Sequence, residues 1–170
     1  MGLESHRAAS PARLRFALIT ISDTRDRATD RGGTYLREAL EAAGQTVVQS
    51  SIVRDEADEI RAAVRAAVES PDVDLVLTTG GTGIAPRDVT YDTLKALLES
   101  EIPGFGELFR SLSEREIGPA AMLSRAIGGL LGGKVVLALP GSPKALKLAL
   151  ESIILPEAGH LVSQTRGTAR

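Results

Sequence analysis

Cysteine is absent from the 170-residue sequence, and histidine occurs only twice. Without cysteine the chain can form no disulfide bond, no thiolate metal site and no cysteine nucleophile. His6 and His160 lie near opposite ends of the sequence, which argues against a histidine-rich zinc site. A bound metal is therefore expected to be a hard cation such as magnesium, held by carboxylates and phosphate oxygens.

The sequence also has no excess of basic charge and no long apolar run. Its formal net charge is −2 with a pI near 5.8, and it contains neither a basic tract nor a basic amphipathic helix. This pattern argues against a nucleic-acid-binding or membrane-surface protein. No apolar run has the length of a membrane-spanning helix, and Glu4 argues against a signal peptide. We expect a cytoplasmic protein.

The first half of the chain alternates between strand and helix patterns. Apolar runs predict strands at residues 14–21, 45–53 and 73–77, and helical spacing of apolar residues predicts helices at residues 30–43 and 56–69. This alternation predicts βαβ units with a parallel sheet. We expect a flexible tail over residues 1–12 and a single α/β domain over residues 13–170.

The second half predicts one antiparallel addition to this sheet. Helices are expected at residues 91–99 and 104–116, followed by two apolar runs at residues 125–131 and 134–139. Gly132 and Gly133 separate the two runs and predict a hairpin turn. Ser142 and Pro143 then mark the N-cap and first position of a helix that continues to about residue 155.

The most informative stretch is TTGGTGIAPRDVT at residues 78–90, which directly follows an apolar run. A strand, a glycine-rich turn and a helix present backbone N–H groups to an anion at the carboxyl end of a parallel sheet. The loop after residue 139, with the sequence PGSPK, repeats this arrangement. Ser22 and Asp23 follow the first strand and are expected at the same sheet edge. The sequence thus predicts a phosphate or nucleotide site.

The sequence matches neither a complete Walker A phosphate loop nor a serine-hydrolase motif. The segment GGLLGGK at residues 128–134 has Walker A spacing, but Val135 replaces the required hydroxyl residue and a strand follows it. Ser142 lies in PGSPK and not in G-x-S-x-G, and no histidine is placed to serve as its base. A site without a protein nucleophile suits phosphoryl or nucleotidyl transfer, where positioning and charge neutralisation provide most of the catalysis.

Two carboxylates are candidates for that chemistry. Asp88 lies in the glycine-rich stretch and Asp55 follows the second strand, so both could face one crevice at the carboxyl edge of the sheet. Simpler interpretations exist for each of them. Asp88 could cap the helix that begins near Tyr91, and Asp55 could be a solvated carboxylate in the first turn of a helix. The pattern alone leaves both pairs of alternatives open.

Five sequence blocks occur together in one order: TTGGTG, PRDVT, IPGFGELFR, LSRAIGG and LPGSP. With these blocks the chain resembles the molybdenum cofactor biosynthesis family of MogA, MoaB and the gephyrin G domain, over about residues 14–160. The resemblance implies a three-layer α/β/α sandwich with a mostly parallel sheet. It further implies a homotrimer or hexamer, with molybdopterin and ATP as ligands and other enzymes of the pathway as partners.

The activity implied by the resemblance is adenylylation of molybdopterin by magnesium and ATP, with release of pyrophosphate. By resemblance, Asp88 would hold magnesium and act in catalysis together with Asp55, and Gly80, Gly81, Thr82 and Gly83 would bind the pterin or its phosphate. Ser22 and Asp23, with Gly141, Ser142 and Lys144, would bind the nucleotide. The block LSEREIG at residues 112–118 is closer to MoaB. The alternative is therefore a non-catalytic molybdopterin-binding or scaffold protein.

Overall fold

The computed structural model describes residues 11–167. Its helices and strands alternate in the first half of the chain, as predicted. In chain order the elements are β1 (Arg15–Ile21), α1 (Arg31–Ala42), β2 (Thr46–Val53), α2 (Ala57–Glu69), β3 (Leu75–Thr79), α3 (Thr90–Leu97), β4 (Ser100–Glu101), α4 (Pro103–Ile117), a 3₁₀ helix (Gly118–Leu123), β5 (Ile127–Leu131), β6 (Lys134–Leu139), α5 (Pro143–Ala149), a π-helical turn (Leu150–Ile154) and α6 (Leu155–Thr165).

The strands form one six-stranded sheet in the order β2-β1-β3-β6-β5-β4. The first four strands in this order are parallel, whereas β5 runs antiparallel to both β6 and β4. Gly132 and Gly133 form the turn between β5 and β6 with positive φ angles of 56° and 73°, values that suit a two-residue hairpin. The predicted antiparallel strand is confirmed, and GGLLGGK is a hairpin.

Helices cover both faces of the sheet, because successive side chains of each strand point to opposite sides. On one face, Phe16 and Leu18 of β1 belong to a core cluster shared with α1, α4, α5 and α6. On the other face, Ala17 and Ile19 of β1 pack with α2 and α3. The result is the three-layer α/β/α sandwich that the resemblance implied.

Strand β3 ends later than the sequence pattern predicted. It covers Leu75–Thr79 instead of residues 73–77, so Thr78 and Thr79 belong to the strand and not to the loop. Both threonines are buried, and the Thr79 hydroxyl donates to the Pro140 carbonyl at 3.3 Å. β-Branched residues suit a strand backbone, which explains why the strand continues through them.

The last helical segment begins as predicted but continues further. The Ser142 hydroxyl caps it by accepting the Ala145 N–H at 3.3 Å, and Leu150, Ile153 and Ile154 are buried. Beyond the expected end near residue 155, the chain continues through the π-helical turn into α6. None of the helices within residues 11–167 is long and apolar enough to span a membrane.

The tail expected over residues 1–12 lies mostly outside the described residues, which begin at Pro11. Ala12 is described, and its carbonyl accepts a hydrogen bond from the Gln45 side chain at 3.2 Å.

Candidate functional site

The loops that follow β1, β2, β3 and β6 meet at one edge of the sheet, because these four strands are parallel neighbours. The order of strands reverses around β1, and ligands of open α/β sheets bind where such a reversal separates the carboxyl ends of adjacent strands. Gly80 N–H donates to the Leu139 carbonyl at 3.0 Å, which joins the loop after β3 to the end of β6. This edge carries every site residue predicted from the sequence.

A tight glycine turn starts the loop after β3. Gly80 and Gly81 have φ angles of 106° and 64°, which other residues rarely adopt. A Cβ atom on Gly80 would overlap the Ile21 carbonyl oxygen, and one on Gly81 would overlap the carboxylate of Asp55 and the hydroxyl of Thr90. The Thr90 hydroxyl donates to the Gly80 carbonyl at 2.9 Å, which fixes the turn to the start of α3.

Asp55 faces this glycine turn. Its Oδ1 atom is buried against Gly81 and has no hydrogen-bond partner within residues 11–167. Burial raises the pKa of Asp55, the negative charges of Asp23 and Asp88 raise it further, and Arg87 opposes them. The alternative of a solvated carboxylate in a helix is thus wrong. A buried carboxylate oxygen without a partner is costly, and a cation or a hydrogen-bond donor at this position would offset the cost.

Asp88 folds back onto its own loop. Its Oδ2 atom accepts the Ala85 N–H at 2.9 Å, and its own N–H donates to the Ala85 carbonyl at 2.9 Å. A Cβ atom on Gly83 would lie 2.7 Å from the same Oδ2 atom. Helix α3 begins at Thr90 after Val89, without a side-chain cap. The alternative of Asp88 as the cap of this helix is therefore wrong, and its carboxylate lies beside Gly83.

Arg87 connects the loops after β1, β2 and β3. Its guanidinium donates to Asp23 Oδ2 at 2.6 and 3.2 Å and to Glu56 Oε1 at 3.0 Å. The other carboxylate oxygen of Asp23 accepts the Asp55 N–H at 3.1 Å. The hydrogen bonds from Arg87 and Asp55 lower the pKa of Asp23. The position of Asp55 therefore depends on a network that spans three loops.

Arg125 is a site residue to which sequence reasoning gave no role. It lies in the LSRAIGG block, and its side chain reaches back to the glycine-rich loop, where it donates to the carbonyls of Gly83 at 2.8 Å and Asp88 at 2.7 Å. Its guanidinium also stacks on the ring of Tyr91, 5.0 Å from the ring centre. Because Arg125 holds the backbone on both sides of the loop, it positions Asp88. The nearby Ser124 Oγ is buried without a partner within residues 11–167.

The other predicted site residues differ in their contacts and exposure. The Ser22 hydroxyl accepts the N–H groups of Thr24 and Arg25 in its own loop, and the Ser142 hydroxyl caps α5. Gly141 approaches Gly80, since a Cβ atom on Gly141 would lie 3.5 Å from Gly80 Cα. Thr82 is only 3% exposed and lies beneath the loop surface. Lys144 is exposed and makes no ion pair with any residue from 11 to 167.

Within the described residues, no three carboxylate or histidine side chains converge on a single point that could hold a metal ion. Magnesium does not require such a cluster, because it commonly binds through one or two carboxylates together with substrate phosphates and water. Asp55 beside Gly81 and Asp88 beside Gly83 supply oxygen ligands of this kind, next to a glycine-rich loop whose N–H groups beyond Gly80 suit phosphate. The residues present fit a magnesium ion that arrives with a phosphorylated ligand.

The fold and the candidate site define an α/β protein with a glycine-rich loop and two acidic side chains at the carboxyl edge of its sheet. A family model described as a probable molybdopterin binding domain matches residues 17–160. The chain belongs to this molybdenum cofactor biosynthesis family, as the sequence resemblance indicated.

Known relatives match nearly the whole chain. Molybdenum cofactor biosynthesis protein B of Bacillus anthracis is 51% identical over 162 residues, which cover 95% of this chain and 96% of that protein. The crystal structure of a tungsten cofactor synthesizing protein MoaB from Pyrococcus furiosus is 38% identical, with a TM-score of 0.82 over 92% of this chain and 99% of that one. The molybdopterin biosynthesis Mog protein from Mycobacterium ulcerans is 32% identical, with a TM-score of 0.80 over 91% of this chain and 99% of that one.

Proposed function

We propose that this protein adenylylates molybdopterin with magnesium and ATP, and releases pyrophosphate. The observation that carries the proposal is the buried and unpartnered Oδ1 atom of Asp55, which faces the Gly80–Gly81 turn close to the charge of Asp88. Such a carboxylate is costly in the free protein, and a phosphate-bound cation would offset that cost. The family to which the chain belongs supports molybdopterin as the second substrate.

In this reaction an oxygen of the terminal phosphate of molybdopterin forms a bond to the α-phosphorus of ATP. The bond between that phosphorus and the bridging oxygen toward the β-phosphate breaks, and pyrophosphate leaves. The Gly80 N–H is engaged with the Leu139 carbonyl, so the backbone N–H groups of Gly81, Thr82 and Gly83 would orient the phosphates. Arg125 holds this loop in place. Asp55 and Asp88 would hold magnesium, which when bound neutralises phosphate charge.

The substitution Asp88→Asn tests this proposal. We expect it to reduce pyrophosphate release by at least about a hundredfold, because removing a group that stabilises transition-state charge costs roughly this much. Molybdopterin binding should persist, since the glycine turn is retained. The carboxylate of Asp58 on α2 is 96% exposed and pairs with Arg61 of the same helix, so Asp58→Asn provides the control. Undiminished turnover by Asp88→Asn would exclude Asp88 as a catalytic residue.

A non-catalytic molybdopterin-binding or scaffold protein is the alternative. It is favoured by the greater identity to the B proteins, at 51%, than to the Mog protein, at 32%. Calorimetry distinguishes the two functions, because the alternative predicts saturable molybdopterin binding without any binding of magnesium-ATP. Saturable binding of both would support the transferase.

Assembly into a homotrimer or hexamer, and contact with other enzymes of the pathway, belong to the same proposal. Several large apolar side chains on and after α4 are exposed, namely Leu108, Ile117, Met122 and Leu123. Association would cover these side chains and remove apolar surface from water.

A further inference from the structure

A cavity of about 810 Å³ lies next to the candidate site. Its wall is formed by the loop after β1, the first half of α1, the carboxyl end of β2 with Arg54, and Glu59 of α2. It contains Ser22 and Asp23 but no residue of the glycine-rich loop. A volume of this size accommodates a small-molecule ligand. Asp23 borders both places, because it lines the cavity and also binds Arg87 and the Asp55 N–H.

The carboxylates that line this cavity are already engaged. Asp26 accepts the N–H groups of Ala28 and Thr29, each at 2.9 Å. Asp30 accepts the Gly33 N–H at 2.9 Å and the Thr20 hydroxyl at 2.6 Å. Asp23 pairs with Arg87, and Glu59 pairs with Arg54. Asp23 and Glu59 are thus paired with arginines, whereas Asp26 and Asp30 accept hydrogen bonds from neutral groups.

Two arginines in the same wall have no such partner. Arg25 and Arg27 make no ion pair and no side-chain hydrogen bond with any residue from 11 to 167. Arg25 is half-buried, and its Nη1 atom lies 3.5 Å from the position of a Cβ on Gly32 and 3.9 Å from that of a Cβ on Gly141. Its guanidinium therefore stands between the start of α1 and the PGSP loop. An unpaired guanidinium in a partly buried position is suited to an anion.

We propose that this cavity binds the β- and γ-phosphates of a nucleoside triphosphate, which correspond to pyrophosphate, and that Arg25 and Arg27 contact them. The cavity contains hydroxyls of Thr34, Ser50 and Ser51 but no aromatic ring that could stack on a pterin or an adenine base. Its chemistry therefore favours a phosphate chain over a ring system. This inference rests on the proposed function for ATP as the source of the phosphate chain, whereas binding of free pyrophosphate depends only on the cavity.

The double variant Arg25→Gln and Arg27→Gln tests the proposal by calorimetric titration with pyrophosphate alone. Loss of two charge-assisted contacts should weaken binding by at least about tenfold. Arg65→Gln is the matched control, since Arg65 is exposed on α2 and does not line the cavity. It should bind within about twofold of the native protein. Native affinity in the double variant, or no pyrophosphate binding by the native protein, would overturn the proposal.

Two further measurements separate this proposal from the adenylylation reaction. The double variant should lose more affinity for ATP than for AMP, because AMP lacks the two outer phosphates. An equal loss would mean that the arginines contact another part of the nucleotide, which would contradict the inference. Arg25→Lys keeps the charge and should retain part of the pyrophosphate affinity. If Arg25 had only a structural role, the affinity would not depend on whether the substituted residue is charged. If the native protein binds pyrophosphate through these arginines but transfers no adenylyl group, the cavity proposal stands and the proposed function fails.

Discussion

At the scale of single residues, Asp55 shows a conflict between the stability of the fold and the role proposed for this carboxylate. Its buried Oδ1 atom has no partner within the described residues, and burial together with Asp23 and Asp88 raises its pKa. A raised pKa in the folded protein means that folding favours the protonated form. The charged carboxylate therefore lowers the free energy of unfolding. This destabilisation is absent below the pKa of Asp55 in the unfolded chain, and it is fully present once the pH has risen through the folded pKa.

The substitution Asp55→Asn should consequently stabilise the free protein while it abolishes pyrophosphate release. We expect the free energy of unfolding at pH 7 to increase by about 1 kcal/mol, a common gain when a strained functional residue is replaced. The gain should disappear near pH 3, where the native carboxyl is protonated in both states. Urea unfolding at the two pH values measures it. A less stable variant at pH 7 would show that Asp55 supports the fold.

Sequence reasoning selected the candidate acids Asp55 and Asp88 but not the arginines that hold their loops, Arg87 and Arg125. Asp55 and Asp88 could be selected because each follows a predicted parallel strand, where carboxyl edges meet. Arg125 could not be selected in this way, because it reaches Gly83 across 42 residues of sequence. Contacts of that kind depend on how α3, α4 and the sheet pack together, and no local pattern records them.

At the scale of elements, the turn after β3 has a backbone geometry that requires glycine. Gly80 combines a φ angle of 106° with close approach to the Ile21 carbonyl, so it joins the ends of two neighbouring strands. Gly104, near the start of α4, has neither a positive φ angle nor any atom within 4 Å of an added Cβ. The two glycines therefore form a matched pair.

We expect Gly80→Ala to lower the free energy of unfolding by about 3 kcal/mol, from backbone strain and overlap with the Ile21 carbonyl. Gly104→Ala should be neutral or stabilising by up to about 1 kcal/mol, because alanine favours the helix. Denaturant unfolding of both variants provides the comparison. Equal stability of the two would mean that the turn tolerates a side chain and relaxes without cost.

The order of the elements was largely predictable, but their ends were less so. Each long helix and strand has apolar spacing that is visible in the sequence. The two-residue strand β4 has no such signal, because it exists only through pairing with β5. Thr78 and Thr79 look like loop residues beside a glycine run, yet the neighbouring strands β1 and β6 extend the sheet through them.

At the scale of the whole molecule, the parallel arrangement explains why residues distant in sequence meet at one edge. Alternating strands and helices predicted the parallel sheet, and with it the convergence of the loops after β1, β2, β3 and β6. The strand order β2-β1-β3-β6-β5-β4 was not predictable from the pattern, because the pairing of β3 with β6 joins segments about 60 residues apart. The opposite, amino-terminal edge of the sheet carries ion pairs that stabilise the fold.

Asp74 provides that stabilisation at the amino-terminal edge. Its side chain is 6% exposed and binds Arg15 of β1 at 2.8 to 3.2 Å and Arg166, after the end of α6, at 2.5 Å. Burial alone would raise the pKa of Asp74, but the hydrogen bonds from Arg15 and the charges of both arginines outweigh it and hold the pKa below its ordinary value. The ionised carboxylate therefore stabilises the fold, and this contribution is lost as the pH falls through the lowered pKa.

The variant Asp74→Asn should lose about 2 kcal/mol of unfolding free energy at pH 7, because the neutral amide no longer pairs with the charges of Arg15 and Arg166. Arg15 keeps only its exposed partner Asp72. The difference from the native protein should shrink as the pH falls below the pKa of the unfolded carboxyl and then through the lower folded value. Pyrophosphate release at 25 °C should remain native, since Asp74 lies at the sheet edge opposite the site. Arg166→Gln is the milder control, because Arg15 still holds the carboxylate. A constant difference between pH 7 and pH 2 would show that the side chain stabilises the fold by packing and not by its charge.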